Sequence, residues 1–127
     1  MKTITLILAL SFASLISAFA HDHGDKKAPF RHVVCFKFKA DATPEQIKTV
    51  EKAFAALPSK IDTIKGYEWG TSLGGVERAK GFTHCFVVTF DNQAGLDAYS
   101  PHDAHQAFIK LFKPFVEDVF VFDYIAQ

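Results

Sequence analysis

The chain of 127 residues balances 14 Lys+Arg against 14 Asp+Glu, so no surplus of charge marks it for nucleic acid or for an anionic membrane. Its length admits one compact domain and little else, and two cysteines, Cys35 and Cys85, are too few for a disulfide scaffold. Fourteen phenylalanines point instead to a core, or a pocket, walled by aromatic rings.

Met1-Lys2 gives a short positive start, and residues 4–16 form an apolar run too short to span a bilayer comfortably. Residues 1–20 therefore read as a secretory signal peptide. Ala18-Phe19-Ala20 places small residues where a signal peptidase reads, which predicts cleavage before His21 and an exported protein, periplasmic or secreted. No cysteine follows the run to take a lipid, so no membrane attachment is expected after cleavage. The new terminus, His21-Asp22-His23, offers an amine, two backbone amides and the His23 imidazole as a square-planar nitrogen set for copper(II) or nickel(II), with His21 as a competing ligand. Residues 21–29, polar and punctuated by Gly and Pro, read as a flexible leader before a domain spanning 30–127.

Along residues 32–39 the chain alternates, with His32, Val34, Phe36 and Phe38 on one face and Val33, Cys35, Lys37 and Lys39 on the other, which predicts a strand. Thr43-Pro44-Glu45-Gln46 is a capping box with proline at the first helical position, and Ile47, Val50, Phe54 and Leu57 follow at helical spacing. A helix over 44–57 is expected. A less regular strand at 67–72 leads to Gly74-Gly75 and a long polar turn. The strand at 82–90 puts Phe82, His84, Phe86, Val88 and Phe90 on one face. Asp91 is expected to cap a short helix ending near Tyr99, Ser100-Pro101 to start a longer one, Pro114 to end it, and 119–125 to form the last strand.

The order strand, helix, strand, strand, helix, strand predicts an α+β, ferredoxin-like split βαβ unit: a four-stranded antiparallel sheet with helices on one face and the first and third strands central. Val33, Cys35, Cys85 and Val87 would then lie bare on the other face, so a homodimer joined through it is expected. Both thiols should be free, because a cross-strand pair rarely suits an unstrained disulfide.

Chemistry concentrates in Tyr99-Ser-Pro-His102-Asp-Ala-His105-Gln-Ala-Phe108. With Ser100 as N-cap, His102 falls in the first turn, and His105, Phe108 and Phe112 share a helical face. That face looks onto the one carrying His32 and His84. The expected result is one cavity for a small apolar or carbonyl-containing ligand, lined by His32, His84, Phe36, Phe86 and Phe108. In the catalytic reading His105 is a general base, Tyr99 a hydrogen-bond donor to an enolate oxygen, and Asp123 the group that orients His105. The reading placed ahead of it is a non-catalytic small-ligand or assembly module in which the same groups merely plug the pocket, with catalysis as the alternative. No cofactor is expected.

The pieces His32-Val-Val-Cys-Phe-Lys-Phe-Lys39, Tyr67-Glu-Trp69-Gly70, Gly81-Phe-Thr-His84, Val88-Thr-Phe90, Tyr99-x-x-His102-x-x-His105 and Phe122-Asp123-Tyr124 span nearly the whole domain. In them the chain resembles the stress-responsive dimeric α/β-barrel family, often called Dabb. The resemblance implies the same ferredoxin-like unit, with two sheets meeting face to face across a dimer. Most members have no assigned activity. A polyketide-cyclising member, which works by aldol condensation, uses a Tyr/His pair that maps onto Tyr99 and His105. Its further pocket histidines map onto His32 and His84, and its last-strand Asp onto Asp123. Its first-helix aromatics do not all carry over, since Val50, Glu51 and Phe54 stand in that region here.

Overall fold

The computed structural model describes residues 28–127. The expected signal peptide at residues 1–20, most of the expected leader and the candidate metal ligands His21 and His23 lie outside the described residues.

Strand β1 (Phe30–Phe38) begins two residues earlier than the alternation suggests, because Phe30 pairs with Phe90 and is buried. Helix α1 (Pro44–Ala55) starts as expected: Thr43 Oγ1 accepts from the Gln46 amide at 3.2 Å, and Gln46 Oε1 accepts from the Thr43 amide at 2.9 Å. It ends earlier than expected, since Pro58 has no amide hydrogen to continue the ladder, and Leu57–Ser59 forms a 3₁₀ turn. Strand β2 (Gly66–Thr71) follows. The expected polar turn contains a short helix, α2 (Gly75–Arg78), bounded by two glycines at positive φ, Gly75 and Gly81.

Strand β3 (His84–Phe90) leads into α3 (Gln93–Tyr99), capped by Asn92 rather than Asp91: the Asn92 side chain accepts from the Gly95 amide at 3.2 Å. Helix α4 (Asp103–Phe112) starts later than expected. Ser100 closes α3 as its C-cap, and the cap of α4 is His102 itself. Strand β4 (Val116–Ile125) begins three residues before the expected start, paired with β1 along nearly its whole length.

The sheet order is β2-β3-β1-β4, every pair antiparallel, with the helices packed on one face: the ferredoxin-like α+β arrangement. Phe36, Phe86, Val88 and Phe90 from the sheet meet Val50, Phe54, Leu96, Tyr99 and Phe108 from the helices in one core. Phe54 stacks on Phe86 with centroids 4.4 Å apart. Truncation of such a buried ring costs about 3–5 kcal/mol.

On the other face Cys85 is exposed, and β4 presents a row the sequence reading passed over, Phe120, Phe122 and Tyr124, which are 51%, 56% and 42% exposed. Cys35 and Cys85 are direct cross-strand partners and both are free thiols. Burial, and then the neighbouring Cys85, pushes the Cys35 thiol up to about 11, so it is protonated at neutral pH.

Candidate active site

Between the helices and the β1/β4 half of the sheet lies a cavity of ≈ 200 Å³. Val34, Phe36, Phe54, Phe108 and Phe112 give it an apolar wall, and His32, Tyr99 and His105 supply its chemistry.

His105 stands on the first turns of α4. Its Nδ1 is 2.8 Å from the Ser100 carbonyl. A carbonyl only accepts, so in the neutral ring Nδ1 carries the hydrogen and Nε2 keeps its lone pair. Burial lowers the pKa of His105; the Ser100 hydrogen bond opposes this, and the charges of His32 and His102 reinforce it. The ring is therefore neutral at pH 7 and its lone pair available. Tyr99, at the end of α3, is 1% exposed and packs against His105 with centroids 4.2 Å apart. Burial, with Tyr67 nearby, raises its pKa well above the ordinary phenol range, so Tyr99 stays a donor.

His32 is placed by β1, and its ring meets the Tyr99 ring edge-on at 5.7 Å. Its Nδ1 lies 2.6 Å from Asp123 Oδ1, a short charge-assisted contact. Here the structure corrects the sequence reading. Asp123 holds His32, not His105, because the β1·β4 register sets His32 and Asp123 directly opposite each other on one face. The backbone of Ser100 fixes His105 instead.

A second correction concerns His84. It does not line the cavity: its cross-strand partner is Phe36, four residues along β1 from His32, a separation of about 13 Å at the rise of a strand. There it is 7% exposed and fully engaged, with Nε2 3.0 Å from Glu51 Oε1, Nδ1 2.7 Å from Thr83 Oγ1, and Trp69 stacked over it at 5.8 Å. Of the phenylalanines assigned to the wall, Phe36 and Phe108 line it; Phe86 is buried behind them. Lining residues the sequence reading left out are Val34, Phe54, Ile109, Phe112, Val119 and Val121. The spacing of Phe108, Ile109 and Phe112 and the alternation of β4 carried that signal. Among the described residues no group of three or more His, Cys, Asp or Glu is placed to hold a metal ion, and no helix is long and apolar enough to cross a membrane.

A neutral imidazole beside a protonated phenol in an apolar cavity can take a proton from one atom of a ligand while donating a hydrogen bond to another.

The model of the stress-responsive A/B barrel domain matches residues 30–126. A stress-response A/B barrel domain-containing protein of Arabidopsis thaliana is 32% identical over 100 residues, covering 79% of this chain and 92% of that protein. The olivetolic acid cyclase of Cannabis sativa is 30% identical over 94 residues, covering 74% and 93%. Among solved structures, the hydroxynitrile lyase of Passiflora edulis superposes with a TM-score of 0.74 at 29% identity, covering 80% of this chain and 95% of the lyase. A dimeric ferredoxin-like protein of Thermobifida fusca superposes with a TM-score of 0.68 at 27% identity, covering 80% and 93%. By fold, by sequence and by the span of the match, the chain belongs to the stress-responsive A/B barrel domain family.

Proposed function

We propose that this is an exported, homodimeric A/B barrel whose cavity takes a small, largely apolar ligand bearing a carbonyl group, and that His105 and Tyr99 act on that ligand. His105 Nε2 removes a proton from the carbon next to the carbonyl. The C–H electron pair moves into a carbon–carbon double bond, and the carbonyl oxygen, now an enolate, accepts a hydrogen bond from Tyr99. The enolate carbon then attacks a second carbonyl, as in an aldol closure, and the alkoxide formed takes the proton back.

The observation that carries this reading is the pairing of a neutral His105 with a protonated Tyr99 in an apolar cavity. Two similar proteins with enzyme names, a cyclase and a lyase, support it. Cavity size favours a ligand of about one ring, since an apolar cavity of about 150 Å³ accommodates benzene. Export rests on the apolar run at 4–16. Self-association rests on the exposed aromatic row of β4 and on the dimeric description of the Thermobifida fusca protein.

Acetophenone in heavy water tests the chemistry without knowledge of the native substrate, because a base beside its carbonyl exchanges its methyl hydrogens for deuterium. The wild type should accelerate exchange over buffer. His105→Ala should lower the protein-dependent rate by about two to four orders of magnitude and Tyr99→Phe by about two. Binding without exchange would leave a carrier in place of an enzyme. A His105→Ala protein as active as wild type would reject the assignment.

A further inference from the structure

Helix α4 carries four residues of the cavity, His105, Phe108, Ile109 and Phe112, and its first turn is held by an unusual cap. His102 lies just outside the helix with extended backbone (φ −57°, ψ 137°), and its ring Nδ1 accepts a hydrogen bond from the Ala104 amide at 3.0 Å. The caps most often used for this task, Ser, Thr, Asn and Asp, offer an oxygen that keeps its lone pairs throughout the physiological range. An imidazole does not. Nδ1 accepts only while it is unprotonated, so protonation and capping compete for the same lone pair.

The joint that this cap closes is compact. The Ser100 carbonyl accepts both from His105 Nδ1 and from Gln106 Nε2, each at 2.8 Å, and the Ser100 hydroxyl donates to the Leu96 carbonyl at 3.1 Å. The Ala104 bond closes the first turn of the helix that carries both His105 and Gln106.

We propose that His102 is a positioning residue whose protonation releases the first turn of α4 and with it the alignment of His105, so that the cavity wall is held at neutral pH and let go in acid. A protonated His102 would lose the Ala104 bond and place a cation at the positive end of the helix dipole, and both effects oppose capping. The charged and titratable groups around the joint are Asp103 and His105 on α4, Tyr99 on α3 and, across the cavity, the His32–Asp123 pair of β1 and β4. His105 lies close enough to sense a charge on His102.

The effect on the joint does not depend on the ligand; the effect on affinity rests on the function proposed above. Two arms separate them. In the first, ¹⁵N-labelled protein without ligand is titrated over about pH 8 to 5, the range of an imidazole. The Ala104 and His105 amide signals should move in a step that follows the His102 ring. In His102→Asn, whose amide oxygen caps at every pH, that step should vanish while the fold is kept. An Ala104 amide that stays still while His102 titrates, or a step unchanged in His102→Asn, would overturn the proposal.

In the second arm acetophenone affinity is measured at both ends of the range. Acidification should weaken the wild type about five-fold more than His102→Asn, the equilibrium factor of one lost cap. Equal weakening in the two proteins would overturn the link to the cavity. Absence of acetophenone binding at any pH would count against the proposed function, and the first arm would still decide the cap.

Discussion

His105 is suited to act as a base because its two nitrogens are divided between two tasks: Nδ1 is anchored on the Ser100 carbonyl, and Nε2 is left with a lone pair. The same burial that keeps the ring neutral carries a stability consequence with a definite sign. The pKa of His105 is lowered in the folded protein, so below the ordinary imidazole value of about 6.5 the unfolded chain binds a proton that the folded one refuses. Stability should therefore fall on acidification through this window, and His105→Gln should show a shallower fall when urea midpoints are compared between about pH 7 and pH 5. Equal slopes would show that His105 is not held neutral. His32, Tyr99 and His105 were legible as one site, because strand parity and helix phase fix which way a side chain points. The partner of Asp123 was not, since it depends on the β1·β4 register, and no residue of the sequence prints a register.

At the level of elements, α1 is tied to β3 through Glu51 and His84, neither of which lines the cavity. Truncation of one member leaves a buried ring nitrogen without its partner. Glu51→Ala should therefore destabilise the fold by about 1–3 kcal/mol in thermal or urea unfolding and leave acetophenone exchange near the wild-type rate. Loss of exchange with stability intact would return His84 to the ligand site, whose lining the sequence reading assigned it to. The capping box of α1 was readable because Thr43, Pro44 and Gln46 each favour the same start. The starts of α3 and α4 were not. Asp91 and Asn92 are adjacent and chemically equivalent candidates, and a histidine cap such as His102 has no compositional signature. Strand β4 was underestimated for a similar reason: Glu117 and Asp118 interrupt the apolar pattern, although both lie within the paired strand.

For the whole molecule, the order of the six main elements was sufficient to read the architecture, because a split βαβ unit leaves few ways to arrange them. The same reading left one sheet face bare, and the structure adds Phe120, Phe122 and Tyr124 to it. A contiguous apolar strip of this kind calls for a cover, and a second copy supplies a matching one. Sedimentation at micromolar concentration should find a dimer, and Phe122→Lys, by placing a charge in the strip, should yield a folded monomer. A monomeric wild type would contradict the assembly.

The proposed chemistry requires His105 to meet a ligand as a neutral base, and ¹⁵N-histidine NMR at neutral pH during an acetophenone titration measures that directly. The expected result is a neutral His105 with the hydrogen on Nδ1 and an Nε2 signal that shifts as ligand is added, while the His84 signals stay in place. A His105 already protonated at neutral pH, or ligand shifts confined to His84, would contradict it.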